Sequence, residues 1–449
     1  MPCAPSARRG FFPLDEELQL LPGHLTPSLE ESLVRLATWM PFDKAVNELH
    51  HFTRVQVSEP TVRRDAQAAG AAYVDLQTEE VERIEQTLPP APAGPAVQLL
   101  SVDGAMVPLV HGEWAEVKTL AIGSVQPPVL DVKRGEWVVH STDLSYFSRL
   151  ADAETFGRLA LVETQRRGTE TAQHVCAVTD GAEWEQGFID LHRRDATRIL
   201  DFGHAGEYVA QAGQVVLGEG TDSFQGWLKD TLHELKHGEP DTVLNTLRDM
   251  HAEMSVRGAG CEAAASTIQK SLAYLEKRRE HMDYARFQAL GYPIGSGSVE
   301  SANKLVVEAR LKGSGMHWAL EHINPMLALR NIACSDRWEE AWPQITQRLR
   351  RQAAAARLRR HQQRQAKKVA ASIVTTLLAQ PEMIPIETPQ VAPRQPALSA
   401  QVSTSPSKSA EKKPHRPAAN HPWRRSPIGR ARYQPSQLAV LPSVGDAKL

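Results

Sequence analysis

Three apolar runs in the middle of the chain each end at an aspartate. The acids are Asp103, Asp180 and Asp201, and the runs are VQLLSVDG, AQHVCAVTDG and ATRILDFGHA. Continuous apolar runs of this length between turn residues are typical of strands that are buried on both faces of a sheet. An open α/β sheet presents its site at the carboxyl ends of such strands. The pattern therefore predicts an α/β domain with carboxylates at one edge of its sheet.

The segments around these runs predict the order of the elements. Further strands are predicted for AMVPLV and WAEVKTLAIGSV, and helices for residues 143–168, for EWEQGFIDLHR and for an insertion at about 205–290. Asp103 and Gly104 would form the turn of a hairpin. The resulting order, strand-strand-strand-helix-strand-helix-strand, is that of the ribonuclease-H-like fold. We therefore expect an α/β ribonuclease-H-like mixed sheet, with catalytic carboxylates on the first strand (Asp103) and just after the fourth (Asp180).

A glycine- and serine-rich stretch before another predicted helix supplies a third carboxylate. In GYPIGSGSVESANK, Ser298 is a candidate helix cap and Glu300 lies near the helix start, where the helix dipole favours an ionised acid. Lys304 lies one turn further on, placed to approach a phosphate. The helix would dock on the sheet through an apolar stripe of Val299, Ala302, Val306 and Ala309. The alternative is that Glu300 only offsets the dipole.

Three acids from separate elements suit a divalent-metal centre. Transfer of a phosphodiester needs charge neutralisation and an activated oxygen, and two hard cations about 4 Å apart supply both. Mg²⁺ prefers oxygen ligands, commonly one or two carboxylates together with substrate phosphates. We therefore predict that Asp103, Asp180 and Glu300 are catalytic and bind two Mg²⁺ or Mn²⁺ ions.

Two further groups are candidates for supporting roles. Asp201 and His204 are possible accessory residues near the metals, and the alternative is a capping Asp beside a His satisfied by other contacts. A basic and aromatic cluster after Glu300 could hold a DNA strand through phosphate contacts and stacking. This cluster consists of Arg310, Lys312, His317 and Trp318. A solvated helix face is the alternative.

The first part of the chain is predicted to be helical. Two amphipathic segments, SLEESLVRLATWM and PFDKAVNELHHF, precede a third that has Ser58 as its N-cap and Gly70 as a possible stop. Short helices with a tight joint fit a helix-turn-helix at 42–70, and a plain helical bundle is the alternative. The residues that would face the major groove are Thr61, Arg63, Arg64 and Gln67.

Composition and local patterns divide the whole chain into six expected segments. The expected segments are an N-terminal piece at 1–27, the helix-turn-helix region at 28–86, a Pro/Ala linker at 87–96, the catalytic domain at 97–335, a basic helical extension at 336–378 and a disordered basic tail at 379–449. From Ile345 onward there are 19 Lys and Arg against 4 Asp and Glu, although the whole chain has a net charge of −2. This asymmetry suggests a polyanionic partner for the tail, and a solvated extension is the alternative.

Several classes of protein are disfavoured. The chain has no run of about 18 apolar residues, which argues against a membrane span, and its first ten residues lack the apolar stretch of a secretory signal. The four cysteines are scattered and form no C-x-x-C pair, which argues against a zinc knuckle and for a reducing compartment. We expect a cytoplasmic, nucleoid-associated protein without membrane contact.

Four motifs together resemble the DDE transposases of bacterial insertion sequences, specifically the Kra group. They are LLSVDGAMVPL, AVTDGAEW, ILDFGHAGEYV and PIGSGSVESANKLVVEARLKGSGMHW. GFFPLDEELQL, followed by the helix-turn-helix, extends the similarity over roughly residues 10–335. The resemblance implies that Asp103, Asp180 and Glu300 are the DDE triad. It also implies an enzyme that cuts double-stranded DNA at the ends of its own element and joins the 3′-hydroxyl to target DNA, using Mg²⁺, as a homo-oligomer on the DNA.

The resemblance also has departures. Members of this group often carry more sequence before the point where this chain begins, so we expect an N-terminal truncation, and the tail beyond about residue 345 is foreign to the pattern. Two other functions stay open: an inactive or domesticated transposase that only binds DNA, and a structure-specific nuclease on the same fold. The presence of all three acids favours the enzyme.

Overall fold

The computed structural model describes residues 25–132, 135–258 and 260–378. The strands are β1 (Val97–Pro108), β2 (Trp114–Val125), β3 (Val129–Asp131), β4 (Glu136–Val138), β5 (Ser141–Arg149), β6 (His174–Thr179) and β7 (Thr197–Leu200). The helices are α1 (Pro27–Trp39), α2 (Phe42–Thr53), α3 (Glu59–Thr87), α4 (Ala153–Arg166), α5 (Glu183–Arg193), α6 (Phe202–Leu217), α7 (Asp222–His237), α8 (Pro240–Arg257), α9 (Glu262–Lys277), α10 (Tyr284–Ala289), α11 (Gly297–Ala302), α12 (Ala309–Leu311), α13 (Leu320–Cys334) and α14 (Trp338–Leu378). A π-helical turn, Asn303–Glu308, joins α11 to α12.

Five strands form one mixed sheet in the order β5-β2-β1-β6-β7. β1 pairs antiparallel with β2 and parallel with β6, while β2 pairs antiparallel with β5 and β6 pairs parallel with β7. β3 and β4 form a separate hairpin. The predicted α/β class and mixed sheet are confirmed, and this strand order is compatible with a ribonuclease-H-like fold.

The hairpin turn predicted at Asp103 and Gly104 is wrong. β1 runs through both residues, which pair with Thr119 and Lys118 of β2. The chain reverses after β1, in a short 3₁₀ turn at Val110–Gly112. Apolar residues on both sides of the Asp-Gly pair belong to one long strand, so strand pairing overrides the local turn tendency. Asp103 therefore lies inside β1 rather than at its end.

The single helix predicted over 143–168 is also wrong, because this segment contains two elements. Its first part is strand β5, and only the second part is helix α4, which begins after Asp152. The Asp152 carboxylate accepts the Thr155 backbone N–H at 2.8 Å and so caps the helix. β5 is the third strand of the sheet along the chain. The sequence pattern predicts AMVPLV as the second strand and WAEVKTLAIGSV as the third, but residues 105–108 belong to β1 and WAEVKTLAIGSV is β2.

The two faces of the sheet are covered by different helices. On one face, Leu100 of β1 packs in a buried cluster with Phe156 of α4 and Phe188 of α5. On the other face, the helices α6–α10 pack against β6 and β7, in a cluster whose members include Val178, Ile199, Val209 and Leu272. The predicted helical insertion at 205–290 thus corresponds to α6–α10 and covers one half of this second face.

The other half of that second face is covered by the helices after the insertion. Val107 of β1 packs with Val306 in the π-helical turn and Leu327 of α13. Side chains alternate along a strand, so Asp103 projects toward the same face as Val107. The elements that carry Glu300 therefore lie on the side of the sheet where Asp103 projects.

Helix α3 does not stop at Gly70 as predicted. It runs for 29 residues, and Ser58 is its N-cap residue. Gly70 is where α3 meets α13, since a Cβ at this position would lie 2.1 Å from the backbone oxygen of Pro325. Glycine here permits a close approach of two helix backbones and does not end the helix.

The N-terminal helices pack against the C-terminal ones. Leu33, Leu49 and Ala66 share a buried cluster with Leu329 of α13 and Trp342 of α14. The chain divides into two compact units, Met1–Thr375 and Thr376–Leu449, and the sheet and its buried clusters lie in the first. The predicted N-terminal motif at 10–20 and the predicted disordered tail at 379–449 lie outside the described residues. Among the described residues, no helix is both long and apolar enough to cross a membrane.

Glu30 on α1 should make the stability of the N-terminal helices depend on pH. Burial, followed by the charge of Asp65 on α3, raises the pKa of Glu30 from 4.5 to about 7. Because the folded-state pKa lies above the unfolded value, the stabilising contribution is complete below the unfolded pKa of 4.5 and is lost as the pH rises through about 7. We expect Glu30→Gln to flatten the decline in the free energy of unfolding between about pH 5 and about pH 8, measured by urea denaturation. Glu82→Gln, at an exposed position of α3, is the control, and an unchanged slope in the Glu30 variant would contradict the assignment.

Candidate metal centre

The register of the parallel strands brings Asp103 and Asp180 together. Leu100 of β1 pairs with Ala177 of β6. Asp103 lies three residues after Leu100, and Asp180 lies three residues after Ala177. Asp180 directly follows β6, as predicted. Oxygens of the two carboxylates lie within 4.8 Å of one another. The two strands therefore hold a pair of acids side by side.

A third carboxylate, Glu185, joins this pair, although it is not among the residues predicted from the sequence. One oxygen from each of Asp103, Asp180 and Glu185 lies within 4.8 Å of the others. Glu185 is 1% exposed at the start of α5. Its Oε2 atom accepts the backbone N–H groups of Gly181 at 2.9 Å and Ala182 at 3.0 Å. A Glu in the third position of a helix is a capping signal, which could have pointed to this contact.

Glu300 lies near this group without belonging to it. It is exposed in α11, and its Oε1 atom accepts the Ser296 hydroxyl at 3.0 Å. Its negative charge contributes to raising the pKa of Asp103, so it lies within electrostatic reach of that acid. The predicted cap, Ser298, lies inside the helix, because the N-cap residue is Ser296. The assignment of Glu300 as a metal ligand stays a prediction.

Asn303, one turn after Glu300, contacts one of the acids directly. Its Nδ2 atom donates a hydrogen bond to Oδ2 of Asp103 at 2.8 Å. The residue is 5% exposed, and its Oδ1 atom is buried without a hydrogen-bond partner among the described residues. A buried acceptor without a protein donor is usually satisfied by a bound water or an ion.

The π-helical turn explains one error in the predicted apolar stripe. Val299, Ala302 and Val306 are buried as expected, but Ala309 is exposed and Arg310 is buried in its place. A π-helical turn has more residues than an α-helical turn, so the face that meets the sheet shifts along the sequence.

The electrostatics of the cluster favour a cation. Burial is the largest cause that raises the pKa of Asp103, and the charges of Asp180 and Glu300 add to it. Burial, together with contact with Asp180, raises the pKa of Glu185 to about 10. Among the described residues, no basic side chain forms a salt bridge with the three clustered acids. Carboxylate and amide oxygens are the ligands of hard cations, so these residues fit Mg²⁺ or Mn²⁺.

Asp201 has a structural role beside the cluster. Its Oδ1 atom accepts the His204 backbone N–H at 2.6 Å and caps α6, and its Oδ2 atom accepts the Ser296 N–H at 2.6 Å. The His204 ring packs against the rings of Tyr208 and Tyr274. Asp201 is therefore a capping residue, as in the alternative given for it above. Its second oxygen connects α6 to the start of the helix that carries Glu300.

Two of the predicted DNA contacts are buried. Arg310 is 2% exposed, donates from Nε to the Ala37 oxygen at 2.9 Å, and lies between the rings of Phe42 and Trp318. Trp318 is 7% exposed. The structure therefore gives both side chains a packing role between the N-terminal helices and the sheet, in place of an exposed DNA surface.

The remaining candidates lie at the surface. Lys304 and His317 are exposed, and Lys312 pairs with Glu308 at 2.7 Å. On α3, Thr61 and Gln67 are partly exposed. Arg63 and Arg64 are more than half exposed and pair with Glu59 and Asp65.

The fold and the cluster together define a class of site. Adjacent carboxylates on neighbouring parallel strands, with a buried amide oxygen beside them, can hold a hard divalent cation. Comparison of the sequence with protein-family models and with curated proteins finds no match.

Proposed function

We propose that this chain is a divalent-metal-dependent phosphodiester transferase that acts on DNA. The observation that carries the proposal is the side-by-side placement of Asp103 and Asp180, with Asn303 of the Glu300 helix in contact with Asp103. Within this class, the motifs support a DDE transposase of the Kra type with a ribonuclease-H-like catalytic domain. Such an enzyme cuts at the ends of its insertion sequence and joins the 3′-hydroxyl to target DNA.

The chain's own residues have distinct parts in this proposal. Asp103 and Asp180 would hold Mg²⁺ or Mn²⁺, and Asn303 orients Asp103. When bound, a pair of such ions neutralises phosphate charge and activates the attacking oxygen. One oxygen of Asp201 caps α6 and the other accepts the Ser296 N–H at the start of the helix that carries Glu300.

We assign the third ligand position to Glu300 rather than Glu185. Glu185 is almost fully buried and one of its oxygens already accepts two backbone N–H groups. Glu300 is exposed, and within the described part of the chain its one hydrogen-bond donor is a serine hydroxyl, so its carboxylate is free to turn toward a cation. Glu185 then has the role of holding the loop that carries Asp180.

A nicking and joining assay tests the proposal. A supercoiled plasmid that carries the DNA flanking the gene is incubated with the full chain in Mg²⁺, in Mn²⁺ and in EDTA. We expect strand cleavage that exposes 3′-hydroxyl ends, joining of these ends to target DNA, and no reaction in EDTA. Binding without cleavage would support the inactive or domesticated alternative, and cleavage without joining would support a structure-specific nuclease.

Two parts of the chain should contribute differently to DNA binding. We propose that Arg63 and Arg64 contact base edges, where a good bidentate pair is worth about 1–3 kcal/mol. The basic tail supplies charges that contact only phosphates, and these give affinity that is independent of sequence and sensitive to salt. Arg63→Ala with Arg64→Ala should therefore reduce the preference for element ends over random DNA by at least about tenfold.

Deletion of 380–449 should weaken binding to all DNA and flatten its salt dependence, as measured by titrations at several salt concentrations. Loss of end preference in the deletion alone would show that recognition lies in the tail.

A further inference from the structure

The helical insertion contacts the loop that carries Asp180 at two consecutive peptide groups. The Tyr274 hydroxyl of α9 donates a hydrogen bond to the backbone oxygen of Asp180. Arg278, one turn further, donates to the backbone oxygen of Gly181 from Nε at 3.1 Å and from Nη2 at 2.6 Å. Two side chains of the insertion thus hold the peptide groups on both sides of Gly181.

These donors are themselves held in place. The Tyr274 ring stacks on Tyr208, with ring centroids 3.9 Å apart and planes at 9°. The Arg278 guanidinium lies over the Tyr274 ring, 3.7 Å from its centroid. A phenol fixed between neighbours loses little conformational entropy when it forms its hydrogen bond.

The loop also fits closely against Arg278. Gly181 has a φ of +83°, and a Cβ there would lie 2.4 Å from Nε of Arg278. On its other side, the N–H groups of Gly181 and Ala182 donate to Glu185, and the Ala182 N–H also donates to Oδ1 of Asp180 at 2.9 Å. A change in the loop conformation would therefore move the Asp180 carboxylate away from Asp103.

We propose that Tyr274 and Arg278 are positioning residues that set the Asp180 carboxylate for cation binding, so that the helical insertion completes the metal centre. The proposal rests on the proposed function for its consequence in catalysis, but the loop contacts themselves do not depend on that function. Outer-shell partners of metal ligands typically contribute a factor of 10–100 in metal affinity or activity.

Tyr274→Phe tests the proposal, because it removes only the hydroxyl and keeps the stacked ring. We expect the Mn²⁺ affinity of the full chain, measured by electron paramagnetic resonance, to fall by about tenfold. Amide hydrogen exchange at Gly181 and Ala182, measured without metal, should become faster. In the cleavage assay kcat should fall by about tenfold, while KM for DNA stays unchanged.

Tyr208→Phe is the matched control, since it lies in the same stack and, among the described residues, its hydroxyl forms no hydrogen bond with the loop. We expect wild-type Mn²⁺ affinity and wild-type exchange in this variant. A Tyr274 variant with wild-type affinity and exchange would overturn the proposal, and so would equal losses in both variants, which would indicate a general effect of the stack on folding. If wild type binds Mn²⁺ but cleaves no DNA, the proposed function fails while the exchange and affinity readouts still test the positioning role.

Discussion

The Asp180→Asn protein should lose metal-dependent DNA cleavage by at least about a thousandfold, which corresponds to about 4 kcal/mol in the activation barrier. Asparagine has nearly the shape of aspartate, and its Oδ1 atom can still accept the Ala182 N–H that the carboxylate accepts now. The loop should therefore keep its conformation while the charge needed to bind the cation is removed. Asp103→Asn should have the same effect. Its Oδ1 atom can still accept the Gly104 N–H, and the Asn303 amide, which now donates to Oδ2, can rotate to present its oxygen to the new Nδ2 group.

DNA binding should be almost unchanged in both variants, because the proposed function places the phosphate contacts that dominate affinity elsewhere in the chain. Cleavage rates and binding titrations on the same end-containing DNA separate the two properties. Asp190→Asn is the control, since this acid lies on the exposed side of α5 and pairs with Arg198. Full activity of the Asp180 variant in Mg²⁺ would refute the catalytic assignment.

The same assay distinguishes the two glutamates. If Glu300 is the third ligand, Glu300→Gln should be as inactive as the aspartate variants. Glu185→Gln should keep more activity, because an amide oxygen can still accept the Gly181 and Ala182 N–H groups. The reverse ranking would place Glu185 at the metal.

Gly70→Ala should destabilise the protein by about 2–3 kcal/mol, although alanine is the better helix former by about 1 kcal/mol. The added Cβ would lie 2.1, 2.5 and 2.8 Å from the backbone oxygen, carbonyl carbon and Cα of Pro325. Backbone atoms cannot rotate away as a side chain can, so α3 and α13 would have to separate. Their separation would loosen the buried cluster of Leu33, Ala66 and Leu329.

Urea denaturation of the two proteins measures this effect. Gly226→Ala is the matched control, because Gly226 is an exposed glycine inside α7 and a Cβ there meets nothing within 4 Å. The control should gain up to about 1 kcal/mol in the free energy of unfolding. An equal gain in the Gly70 variant would mean that α3 and α13 do not approach each other closely in solution.

Local patterns were sufficient to predict several elements that the structure contains. The runs before Asp180 and Asp201 are β6 and β7, and EWEQGFIDLHR is α5 to the residue. The two runs are continuously apolar between turn residues, and the helix has a single strong period, so no distant contact is needed to decide these conformations. The helices α1 and α2 were predicted for the same reason.

Where local signals conflict, pairing with a distant strand determines whether a segment is a strand, a helix or a turn. The residues of β5 could be placed on a helix as easily as on a strand, and their pairing with β2 decides for the strand. The Asp103–Gly104 pair has the composition of a turn, yet both of its residues are paired across to β2. In each case the free energy of completing a buried sheet exceeds a local preference of about 1 kcal/mol.

The candidate site divides in the same way. The sequence by itself determined that Asp180 follows a buried strand, because an apolar run that ends in a polar turn is a local property. Only the tertiary structure decided that Glu185 and Asn303 contact this region and that Arg310 is buried. The first two residues depend on how α5 and the π-helical turn pack on the sheet, and the third depends on a helix that lies 273 residues earlier in the chain. Contacts between elements so far apart arise from the packing of whole surfaces, which no short window of sequence contains.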